Sequence, residues 1–95
     1  MLCQARFRYF LPVADKKSQQ AVCSRVAQIL RKEREKRGLS MNAVAERAGL
    51  SQQMVSYVER GMRNPTLETL LRIAAAIEID FVQVMRQAMH GEKAR

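Results

Sequence analysis

The chain has no tryptophan, and phenylalanine and tyrosine together make up only 5% of its 95 residues. Glycine occurs four times and proline twice. A sandwich or barrel of many tight turns needs more of all three, so this scarcity argues against an all-β architecture and favours helices. Two cysteines, Cys3 and Cys23, lie twenty positions apart without CxxC spacing, and the only histidine is His90. That inventory assembles neither a structural zinc site nor a disulfide framework. No metal or cofactor is therefore expected, and two idle thiols suit a reduced, cytoplasmic setting. No apolar run approaches the roughly 18 residues of a membrane span. There is also no Ser/His/Asp, Cys/His, paired-carboxylate or phosphate-loop constellation, so an enzyme is not expected.

What is plentiful is positive charge. Seventeen Lys and Arg against nine Asp and Glu give a net charge of +8, which points to a polyanionic partner. The excess is uneven: residues 1–65 hold thirteen bases and five acids, whereas residues 66–95 hold four of each. The half that would face a polyanion is thus the first one. With 47% apolar residues the chain can fill one core, and its length leaves no room for a second.

From Ala21 onward, Val22, Val26, Ile29 and Leu30 recur at helical spacing, and Gly38 supplies a residue able to close the helix, which predicts a first helix over about 20–37. Ser40 reads as the N-cap of a short second helix with Val44, Ala45 and Ala48 on one face, stopped by Gly49. Ser51 caps a third, with Val55 and Val58 inward and Gly61 at its end. Pro65 and Thr66 open a fourth, whose Leu67, Leu70, Leu71, Ala74 and Ile77 read as a continuous core stripe. Asp80, with Gln83 three positions on, resembles a capping box at the start of a fifth helix carrying Phe81, Val84, Met85 and Ala88. The expected organisation is an arm over 1–20, a helical domain over 21–90 and a charged tail over 91–95. In the arm, Phe7, Tyr9 and Leu11 alternate with Arg6, Arg8 and Phe10, a short strand pattern that Pro12 would stop; a helix there stays an open alternative.

Two short helices joined through a glycine, the second presenting polar residues, form a helix-turn-helix arrangement. Counted from Met41, Ala45 is fifth, Gly49 ninth, Val55 fifteenth and Val58 eighteenth. These supply a small residue at a close helix crossing, a glycine free to take positive φ, and two branched apolar anchors. The surrounding text includes Arg34, Gly38-Leu39-Ser40, Ala45-Glu46-Arg47-Ala48-Gly49-Leu50-Ser51-Gln52, Glu59-Arg60-Gly61 and Arg63-Asn64-Pro65-Thr66-Leu67. Over Arg34 to Phe81, about half the chain, the sequence resembles the phage-repressor and Cro-like, Xre-type helix-turn-helix family. The resemblance implies an all-α, five-helix repressor-like DNA-binding domain.

The third helix is the recognition helix of such a unit. Gln52 and Gln53 lie in its first turn, and an amide that donates and accepts at once suits the bidentate reading of an adenine edge. Ser56 and Tyr57 follow one turn later, Tyr57 off the inward face of Val55 and Val58 and expected to expose its ring. The resemblance implies base contacts from the first, second and sixth residues, here Gln52, Gln53 and Tyr57. Phosphate-facing candidates are Arg60, Arg63 and Asn64 after that helix, with Asn42 and Arg47 on the second helix and the main-chain N–H groups at its start. Met41 departs from the family pattern, which often has there a glutamine that contacts phosphate and braces the first recognition-helix glutamine. The resemblance also implies an ion pair between Arg34 and Glu59.

Two functional readings follow. The first is a sequence-specific transcriptional regulator, a repressor acting as a homodimer on a pseudo-palindromic site in double-stranded DNA. Its dimer surface would lie on the fifth helix, at Phe81, Val84, Met85, Ala88 and Met89, with Phe81 and Met85 packing one face inward and the remainder covered by a second subunit. The alternative is an antitoxin that uses the same fold to bind a toxin protein and to regulate its own operon.

Overall fold

The computed structural model describes residues 16–62 and 64–90. These form five helices: α1 (Lys16–Lys36), α2 (Met41–Ala48), α3 (Gln52–Glu59), α4 (Leu67–Ile77) and α5 (Phe81–Met89). Among the described residues there is no strand, and the architecture is all-α. The expected strand around Phe7-Arg8-Tyr9-Phe10, like Cys3 and the tail over 91–95, lies outside the described residues. The first helix begins at Lys16, some four residues before the apolar periodicity starts. Its extra turn is polar and mostly exposed, built from residues that tolerate helix without burying anything.

The helix starts follow from local hydrogen bonding. Ser40, Ser51 and Thr66 have extended backbones, and each hydroxyl accepts the N–H three positions on, from Ala43, Met54 and Thr69, at 3.0–3.1 Å. Asp80 caps α5 differently: its carboxylate accepts the Val82 N–H at 3.0 Å, and the expected partner Gln83 is exposed. Left-handed residues close the ends of α2 and α4. At Gly49, φ is +72°, and the next N–H, from Leu50, reaches back to the Ala45 carbonyl at 2.9 Å. The same turn closes α4 without glycine, since Glu78 adopts φ 67° and Ile79 reaches Ala74 at 3.0 Å.

The core is Leu30 from α1, Val44 from α2, Val55 and Val58 from α3, and Ile73 and Ile77 from α4. α2 lies against α3 and α4, and Ala45 and Ala48 permit that close approach. α1 runs along α5 and also meets α3 and α4. Two registers differ from expectation. On α4 the inward face is centred on Ile73 and Ile77, not on the leucines: Ile73 is 0% exposed, whereas Leu67 and Leu71 are 63% and 47% exposed. The inward stripe is thus rotated by about one residue, with Leu70 half-buried at its edge and Leu67 and Leu71 on the flank. On α5, Val84 and Ala88 enter the core at 3% and 0% exposure, and Phe81 and Met85 lie half-buried beside them.

Replacing Ile73 with Ala should therefore cost about 2–5 kcal/mol of unfolding free energy, while Leu71→Ala should stay within about 0.5 kcal/mol of the parent. Chemical denaturation of both variants checks this assignment; the reverse order of losses would restore the leucine-centred face.

Candidate nucleic-acid interface

α2, the turn at Gly49 and α3 form the helix-turn-helix unit. Ala45, Val55 and Val58 are buried at the contacts that hold it to the core. Gln52 and Gln53 are exposed on the first turn of α3, and Ser56 and Tyr57 are half-buried one turn later. Tyr57 is less open than its sequence position suggests, and its hydroxyl oxygen accepts a hydrogen bond from Gln53 Nε2 at 2.8 Å. Met41, where a bracing glutamine is common in the family, packs half-buried against the core.

The far end of α3 is fixed by charge. Arg34 on α1 donates from Nε to Glu59 Oε2 at 2.7 Å and from Nη2 to Oε1 at 3.1 Å, a two-pronged match of guanidinium to carboxylate. Its remaining nitrogen, Nη1, donates to the Leu39 carbonyl at 2.8 Å. The two side chains are only 10% and 3% exposed, and among the described residues no buried side-chain nitrogen or oxygen lacks a partner. One guanidinium thus ties α1, the α1–α2 loop and α3 together.

Of the phosphate-facing candidates, Arg60 and Asn64 are exposed just beyond α3, and Asn42 is exposed in the first turn of α2. Arg63 lies outside the described residues. Arg47 is exposed as well, but its Nη1 donates to the Ala76 carbonyl near the end of α4 at 3.3 Å. Two further arginines act alike: Arg25 Nε donates to the Ala88 carbonyl at 2.6 Å, and Arg72 Nη1 to the Ala48 carbonyl at 3.5 Å while Nη2 pairs with Glu68. Cations at helix C-termini satisfy carbonyls left without helical partners and oppose the helix dipole. Sequence reading misses these carbonyl contacts because the partners lie 24 to 63 positions away.

The α5 residues expected at a dimer surface divide. Val84 and Ala88 are buried within the subunit, so their side chains do not face a second copy. Phe81 and Met85 border a groove of about 440 Å³ between α1, α4, α5 and the α3–α4 loop, whose lining includes Val22, Val26, Asn64, Leu67 and Leu70. Met89 and Val82 are exposed. Among the described residues no three His, Cys, Asp or Glu side chains meet in a way that would hold a metal ion, and no helix is long and apolar enough to cross a membrane.

A helix-turn-helix family model matches residues 30–84, from the last turns of α1 into α5. The chain is 42% identical over 52 residues to y4dJ of Sinorhizobium fredii, an uncharacterized HTH-type transcriptional regulator, which covers 55% of this chain and 68% of that one. It is 30% identical over 60 residues to the HTH-type transcriptional regulator SlrR of Bacillus subtilis, and 36% identical over 52 residues to SutR of Escherichia coli. Those matches cover 62% and 55% of this chain but only 40% and 29% of the relatives, so the chain spans less than half of each. Among solved structures, a single-site variant of the restriction-modification controller protein C.Esp1396I is similar in fold, with a TM-score of 0.69 over 76% of this chain and 94% of that one at 24% identity.

The buried pair makes a direct stability prediction. Removing one partner strands the other charge away from water, so Glu59→Ala should lower stability by about 3–5 kcal/mol. Thermal unfolding measures the loss, and a variant that melts within a degree or two of the parent would show that the pair does not hold α3.

Proposed function

The chain belongs to the helix-turn-helix family of Xre type, a family of non-enzymatic DNA-binding proteins, and we propose that it is a sequence-specific transcriptional regulator, a repressor that binds a pseudo-palindromic operator as a cytoplasmic homodimer. The observation that carries this reading is the exposed amide pair Gln52 and Gln53 on the first turn of a helix whose opposite side is locked into the core. A helix enters the major groove with its N-terminal residues toward the base edges, and glutamine supplies the donor and acceptor that adenine requires. Ser56 and Tyr57 continue the same surface. Arg60, Arg63, Asn64 and Asn42 flank it as phosphate contacts, with Arg47 divided between phosphate and the end of α4.

The homodimer reading draws on the opposite side of the charge split. Residues 66–95 carry no net charge, and this half presents Leu67, Leu71, Val82 and Met89 to solvent beside half-buried Phe81 and Met85. A neutral apolar surface suits a second copy, while the basic half remains for DNA. A two-fold pair would set its α3 helices about 34 Å apart, one turn of B-DNA.

Two measurements test the reading. In binding assays on a cognate site and on random duplex, Gln52→Ala should lose about 1–3 kcal/mol on the first and little on the second, whereas Arg60→Ala should weaken both and reduce the salt-dependence slope by about one unit. Equal losses on both duplexes for Gln52→Ala would remove it from base reading. Sedimentation equilibrium at micromolar concentration should give twice the chain mass for the parent and a monomer for Val82→Glu; a parent that sediments as a monomer contradicts the dimer.

A further inference from the structure

Gln53 and Tyr57 stand one helical turn apart on α3, joined by the hydrogen bond from Gln53 Nε2 to the Tyr57 hydroxyl oxygen at 2.8 Å. The two partners differ in freedom. Gln53 is exposed, while Tyr57 is half-buried, and the hydrogen bond between them is open to solvent. The ring is therefore the more restrained member, and the amide takes its orientation from the hydroxyl.

That orientation changes what the amide offers a base. A glutamine side chain has two N–H donors and one carbonyl acceptor. Free to rotate, it can meet adenine with a donor and an acceptor, or turn its NH2 group toward guanine, whose major-groove edge has two acceptors, N7 and O6. With one N–H engaged by Tyr57, one donor and one acceptor remain, which complement the N7 and N6–H2 of adenine. Met41 does not supply such an orienting bond, because it packs half-buried against the core and a thioether is at best a weak acceptor.

We infer that Tyr57 is a positioning residue for base reading: its hydroxyl holds the Gln53 amide so that adenine is selected over guanine at the base pair Gln53 meets. The inference rests on the reading of α3 as the base-reading helix. It assigns Tyr57 a role through Gln53 in place of a base contact of its own.

The test is selection of bound sites from random duplex DNA, using the full chain and the variants Tyr57→Phe, Gln53→Ala and the double variant. Phenylalanine keeps the ring and removes only the hydroxyl oxygen, so a melting temperature within a degree or two of the parent verifies that packing is retained. The parent should require adenine at the position whose preference Gln53→Ala abolishes. Tyr57→Phe should lower the adenine-over-guanine preference at that same position by about tenfold, leave other positions unchanged, and have no further effect in the Gln53→Ala background. A shift at a different base pair, an unchanged preference, or additive losses in the double variant would overturn the inference while leaving DNA reading by α3 intact. A consensus unaffected by Gln53→Ala would also overturn it. Recovery of no consensus by the parent would remove sequence-specific binding itself, and the role of Tyr57 with it.

Discussion

Much of this structure hangs on the buried ion pair of Arg34 and Glu59. α3 has eight residues and gives the core two buried apolar side chains, Val55 and Val58, with Met54 partly buried against it. A helix that short has little stability of its own, so its position must be imposed by its surroundings. The Ser51 hydroxyl fixes one end, and the Glu59 carboxylate, gripped by both prongs of the Arg34 guanidinium, fixes the other. Burying two charges is tolerable because every group is matched: the third guanidinium nitrogen closes on the Leu39 carbonyl. The outcome is a helix held rigidly on its inner side, with polar groups exposed on its outer side.

The same economy governs the other cations. A count of +8 suggests a surface free to meet phosphate, yet Arg25, Arg34, Arg47 and Arg72 all donate to main-chain carbonyls, three of them near the ends of α5, α4 and α2. Part of the positive charge therefore builds the fold. Arg60, exposed just beyond α3, lies in the half of the sequence that carries the positive excess. The second half is electrically neutral and, among the described residues, bears four of the five large exposed apolar side chains, the fifth being Met62 just beyond α3.

Helix starts were legible in the sequence because a capping side chain is a local device: Ser40, Ser51 and Thr66 each need only the N–H three positions ahead. The helix-turn-helix unit was legible because its small residue, its glycine and its anchors sit at fixed spacing. The inward face of α4 was legible only in part: Ala74 and Ile77 belong to the expected stripe and are buried, but Leu67 and Leu71 compete with Ile73 and periodicity does not say which is central. The apolar stripe of α5 has the same form whether it meets its own subunit or another, so Val84 and Ala88 read as surface and lie in the core. Glu78 gave no sign of a left-handed turn, because glycine is the usual marker. The bond between Gln53 and Tyr57 sits at ordinary helical spacing, but two polar side chains four apart do not announce whether they meet.

In the proposed reading the exposed surface of α3 and the start of α2 meet DNA, while the apolar side that carries Val22, Leu67 and Phe81 does not. Backbone-amide chemical shifts, followed by nuclear magnetic resonance as a duplex carrying the selected site is added, separate these surfaces. The largest changes should fall at residues 41–42 and 51–57, with Val22, Leu67 and Phe81 nearly unmoved. Changes concentrated on those three residues, with α3 silent, would contradict it.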